Sequence, residues 1–133
     1  LLGAVVAFDQ IAGIALTSSN LNLNYRAANV AMYVLVADDP DTIYEIQANS
    51  VGATTTHVFV IGDLGENADI VVGAGNTITG LSGMQLDAST HTPNTAQLRT
   101  VAYANPMNED LTLDLVTLHV MINEHIYKQA AGV

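Results

Sequence analysis

The stretch LVTLHVMI, Leu115 to Ile122, puts Val116, Leu118, Val120 and Ile122 on one face of an extended chain and Thr117, His119 and Met121 on the other. Strand-like stretches recur about every ten to twelve residues, with turn chemistry between them and no convincing three-turn helix, and that spacing points to an all-β sandwich or barrel. VAMYVLVA (Val30–Ala37) is a continuous apolar run of buried-strand length. In TIYEIQAN (Thr42–Asn49), Tyr44, Ile46 and Ala48 oppose Ile43, Glu45 and Gln47; with TTTHVFVI (Thr54–Ile61) it reads as a hairpin across the Ser50–Gly52 turn. Ile70–Val72 and Thr77–Thr79 are short β-prone runs between glycines. MQLDAST (Met84–Thr90) alternates Met84, Leu86 and Ala88 against Gln85 and Asp87. TAQLRTVAYA (Thr95–Ala104) places Gln97, Arg99, Val101 and Tyr103 on one face. Asp38–Asp41 and His91–Asn94 read as turns, because proline sets φ and Asp or Asn side chains take up local amides.

The chain of 133 residues predicts one domain, with a core large enough to need no covalent staples. The expected architecture is all-β: a single-domain antiparallel β-barrel or β-sandwich with an extended apolar N-terminal arm. Residues 1–29 form the arm or edge strand plus a loop, 30–127 the core, and 128–133 a tail expected to fray. LLGAVVAFDQIAGIAL (Leu1–Leu16) has no basic flank, carries Asp9 in its middle and is too short to cross a bilayer as a helix. It reads as a strand or a packing arm, with a helix as the competing assignment.

Charge excludes more than it proposes. Arg26, Arg99 and Lys128 stand against thirteen carboxylates, for a formal net charge of −10. Nucleic-acid binding needs several cations to neutralise phosphates, and an anionic membrane surface would repel this chain, so neither is an expected partner. With no cysteine, disulfides, thiolate metal sites and cysteine catalysis are excluded.

Candidate chemistry is thin. GAGNTITG (Gly73–Gly80) superficially resembles a phosphate loop, but Leu81 follows where a Walker loop needs Lys, and the dinucleotide fingerprint is also missing. These glycines read as sites of sharp backbone turns at positive φ, with solvated acidic residues between them. Asp63, Glu66, Asn67 and Asp69 are closely spaced oxygen donors that could take calcium, but they lack the EF-hand pattern. His57, His119 and His125 with Glu124 make a loose metal-ligand set; His119 and His125 are an even six residues apart, without the spacing that chelates from one strand face. No nucleophile elbow is present, and Asp38 and Asp39 are neighbours in a turn rather than an acid–base pair. No catalytic residue, metal or cofactor is expected.

The more informative feature is the apolar arm. Leu1, Leu2, Val5, Val6, Phe8 and Ile11 need burial, either as an ordinary first strand or against a neighbouring chain. Met107, at the tip of the NPMNEDL loop, is a second candidate contact, because methionine adapts to a partner surface.

Taken together, YEIQ (Tyr44–Gln47), GENADIVVGAGNTITGLSGMQLD (Gly65–Asp87), AQLRTVAY (Ala96–Tyr103) and INEH (Ile122–His125) resemble a family of small structural proteins of tailed bacteriophages. Such proteins are often encoded beside the major capsid protein and are associated with capsid decoration, or cementing. The resemblance spans roughly Ile43 to Tyr127 and is strongest in the glycine stretch; the first forty residues match poorly. It implies a catalytically silent protein on the outer capsid surface, with the major capsid protein as partner and a homo-oligomer, a trimer favoured, as the working form. A tail or fibre-base adhesion module and a metal-dependent barrel enzyme using the histidines above are the competing expectations.

Overall fold

The computed structural model describes residues 1–9, 28–29, 31–49, 59–107 and 115–128. Its strands are β1 (Ala4–Asp9), β2 (Tyr33–Ala37), β3 (Ile43–Asn49), β4 (Asn67–Gly73), β5 (Gly83–Thr92), β6 (Leu98–Tyr103) and β7 (Thr117–Ile122), and a 3-10 turn covers Ile61–Asp63. No α-helix occurs among the described residues, so the architecture is all-β as the spacing predicts. Strands β3–β5–β4–β6–β7 close into a five-stranded barrel, while β1 and β2, among the described residues, pair only with each other.

The barrel is mixed rather than wholly antiparallel. Four junctions are antiparallel, but β3 meets β5 in parallel through Ala48↔Leu86 and Asn49↔Asp87. Alternation reports which face of a strand is buried, not which strand lies beside it. Side-chain amides reinforce this short junction: Gln85 Nε2 donates to Gln47 Oε1 at 2.9 Å, and Asn49 Nδ2 donates to Gln85 Oε1.

The core follows from the barrel's small bore. Phe59, Leu86, Leu118, Val116 and Val120 fill it, while Ala48, Ala68 and Ala88 are fully buried where strands crowd. Large side chains alternating with alanine suit the narrow interior of a five-stranded barrel. In β7 the expected inward set is realised: Leu118, Val120 and Ile122 are buried, and Val116 just before the strand joins them.

Three local expectations change. Of the run Val30–Ala37, Val30 lies outside the described residues and the rest does not make a buried strand: among the described residues β2 is paired along one edge only, and Tyr33, Val34 and Leu35 are exposed. Thr77–Thr79 is a turn, with Asn76 Oδ1 accepting the Ile78 and Thr79 N–H groups. Tyr103 does not share a face with Arg99, because a bulge between Thr100 and Ala102 reverses the phase and sends the tyrosine ring edge-on to Phe59, centroids 6.1 Å apart. Of the hairpin expected after β3, residues 50–58 lie outside the described residues, and Phe59–Ile61 lead into the 3-10 turn.

The glycine stretch is the β4–β5 hairpin with the loop 74–82. Gly80 does sit at φ +72. Gly73 and Gly83 are required for a different reason, close approach: a methyl on either would come within 2.4 Å of a carbonyl oxygen on the facing chain. Asp63 is not a solvated turn residue but is nearly buried, and its Oδ2 accepts the Val60 N–H at 2.8 Å.

Candidate interaction surface

The β1–β2 ribbon carries one charged residue, Asp9 at the end of β1; Ala4–Phe8 and the whole of β2 are without a charged side chain. Both contain consecutive apolar residues rather than a polar–apolar alternation, so both faces of the ribbon are apolar. The register places Phe8 opposite Val34 on one face and Ala7 opposite Leu35 on the other, and a bulge between Val5 and Ala7 turns Val6 out of phase. Ala7 is buried, but Val5, Val6 and Val34 are at least half exposed. A two-stranded ribbon cannot cover both of its own faces.

The ribbon is tethered to the barrel at its ends. The Leu1 nitrogen donates to the Glu124 carbonyl at 2.7 Å, and the Ile126 N–H donates to the Leu1 carbonyl at 2.8 Å. Tyr44 on β3 donates its hydroxyl to the Ala37 carbonyl at 2.9 Å. Val5 and Phe8 also line an open groove of about 430 Å³ with Gly75, Asn76, Leu81 and Ser82 of the hairpin loop. Ile78 and Leu81 on that loop are themselves exposed, which extends the apolar surface beyond the ribbon.

Of the residues singled out in the sequence, Leu1, Leu2, Val5 and Val6 are exposed, Phe8 is half-buried, and Met107 is 90% exposed. Ile11 lies outside the described residues. Tyr33, Val34 and Leu35 of the same ribbon are exposed as well, although the apolar run that holds them predicts a core strand. The available signal is that their run lacks any polar alternation, which fits exposure to another chain as well as burial within this one.

The other candidate groups separate. His119 Nε2 lies 3.3 Å from Glu45 Oε1 on the neighbouring strand. His125 is fully buried; its Nδ1 accepts the Tyr127 N–H at 3.1 Å, and its Nε2 has no hydrogen-bond partner among the described residues. His57 lies outside the described residues. Among the described residues, His119, Glu124 and His125 do not form a ligand cluster. Of the four calcium candidates, Asp63 and Glu66 do converge, but on His91, which the sequence pattern places in a turn; Asp69 instead receives the Gln97 N–H at 3.4 Å. The chain matches none of the protein families, curated proteins or solved structures with which it was compared.

Proposed function

We propose that this protein is a capsid decoration (cement) protein of a tailed bacteriophage, which binds the outer surface of the assembled shell as a homo-oligomer, a trimer at local three-fold junctions. The observation that carries this reading is the apolar, largely exposed ribbon, whose one charged residue is Asp9 at the end of β1, on a chain of net charge −10. An apolar surface of this kind marks a protein-contact site. The family resemblance between Ile43 and Tyr127 supplies the identity of the partner, the major capsid protein. An acidic chain suits the outside of a shell, where it does not meet packaged DNA. The part played by the molecule is its folded surface, and no residue is assigned a catalytic role.

A ligand that binds only the assembled shell stabilises it by mass action. Capsids stripped of the protein and capsids carrying it are therefore expected to rupture at different temperatures, the decorated ones higher. Equal rupture temperatures under saturating protein would overturn the cementing role. Electron microscopy of the intact particle locates the protein, and density on the tail alone would replace this reading with the adhesion module.

A further inference from the structure

The segment Asp63–Glu66 closes the 3-10 turn and is held from both ends by Thr100 of β6, which is 2% exposed. The Thr100 hydroxyl lies 2.9 Å from the carbonyl oxygens of Asp63 and Glu66 and accepts the Gly65 N–H at 3.2 Å. Its backbone N–H donates to the Glu66 carbonyl at 3.0 Å, and its carbonyl also accepts from Gly65. Gly65, at φ +90, makes the bend that a side chain would resist. Two carboxylates three residues apart are thereby presented from a rigid turn.

His91, near the end of β5, faces that turn. Its Nδ1 lies 3.0 Å from the Ala88 carbonyl and must donate to it, so Nε2 is the nitrogen nearest the carboxylates. Nε2 is 3.7 Å from Asp63 Oδ1 and 3.9 Å from Glu66 Oε2, and the three groups keep their ligand atoms within 4.8 Å of one another. A cation at the centre of such a triangle sits about 2.1–2.5 Å from each atom, within the ranges for divalent ions on nitrogen and oxygen. A ring nitrogen whose other N–H is bonded to a backbone carbonyl is also the usual arrangement of a metal-ligating histidine.

We propose that Asp63, Glu66 and His91 form a divalent-cation site. One imidazole with two carboxylates favours a borderline metal such as Zn²⁺ over Ca²⁺ or Mg²⁺. The role is structural: the ion ties the 3-10 turn to the end of β5. None of its ligands belongs to the ribbon, so the site stands or falls independently of the capsid role.

The test uses the whole chain, stripped of metal with a chelator and titrated with Zn²⁺ by calorimetry and thermal unfolding. The expected result is one-site binding and a rise in Tm of about 8 °C at a hundredfold excess over Kd. Glu66→Gln and His91→Gln are each expected to abolish most of that rise, while the metal-free Tm of Glu66→Gln stays that of the wild type. Glu66 is partly exposed, so its variant keeps the test decisive if His91→Gln unfolds. No Zn²⁺-dependent shift in the wild-type chain would overturn the proposal. A shift retained in Glu66→Gln would also overturn it, as diffuse binding to an acidic surface.

Discussion

Tyr103 shows how a single side chain couples burial to charge. Its ring packs edge-on against Phe59, and its hydroxyl donates to the Phe59 carbonyl at 3.2 Å. Burial, with the Asp63 carboxylate as a second contributor, holds the phenol above its ordinary value of 10.0. Below that value the phenol is neutral in folded and unfolded chains alike. As pH rises past it, the unfolded chain gives up its proton first, so the stability contribution is lost as pH climbs through the folded value. Tyr103→Phe is expected to cost about 1 kcal/mol near pH 8 through the lost hydrogen bond, with the gap to wild type narrowing above pH 10. Urea unfolding across that range checks this; a constant gap would show that the phenol is not shifted. His125 is the opposite case, a fully buried ring with only one of its nitrogens bonded among the described residues. Strand alternation alone assigns Tyr103 to the wrong face, because one bulged residue inverts the phase and nothing in LRTVAY announces the bulge.

At the scale of elements, β7 and the β1–β2 ribbon carry apolar residues to opposite ends. The inward side chains of β7 meet the barrel core, whereas Val34 on one face of the ribbon and Leu35 on the other are exposed. Leu118→Ala is expected to destabilise the fold by about 2–5 kcal/mol, because it opens a cavity in a closed barrel. The paired substitution Val6→Glu with Val34→Glu is expected to change stability by under about 1 kcal/mol, since both positions are at least half exposed, yet to abolish binding to capsids. Chemical unfolding and capsid co-sedimentation read the two effects separately, and a ribbon variant that still binds at wild-type level would place the contact elsewhere. The strands are legible where one face is core and the other solvent, as in β3 and β7. The destination of VAMYVLVA is not legible, because apolar residues on both faces fit a buried strand and an uncovered ribbon equally.

For the whole molecule, net charge and apolar surface act against each other. Copies carrying −10 repel, whereas the apolar residues exposed on the ribbon and on the 74–82 loop carry no charge; on the reading proposed above, the copies meet through such surface. Added salt screens that repulsion over a Debye length of about 10 Å at 0.1 M while leaving apolar contact intact. Sedimentation velocity is therefore expected to show more oligomer at high salt than at low salt; dissociation by salt would mean that ionic contacts hold the copies together. The convergence of Asp63, Glu66 and His91 is likewise a property of the whole fold, because the strands that bring residue 91 to residues 63 and 66 are joined by a hairpin and clamped by Thr100 from a third strand. The sequence by itself determined the all-β class, the inward faces of β3 and β7, and the charge of −10, because strand period and net charge are local or additive quantities. Only the tertiary structure decided the parallel β3–β5 junction, the uncovered ribbon and the His91 cluster, because each depends on which distant segments become neighbours, and alternation along one strand holds no information about the strand beside it.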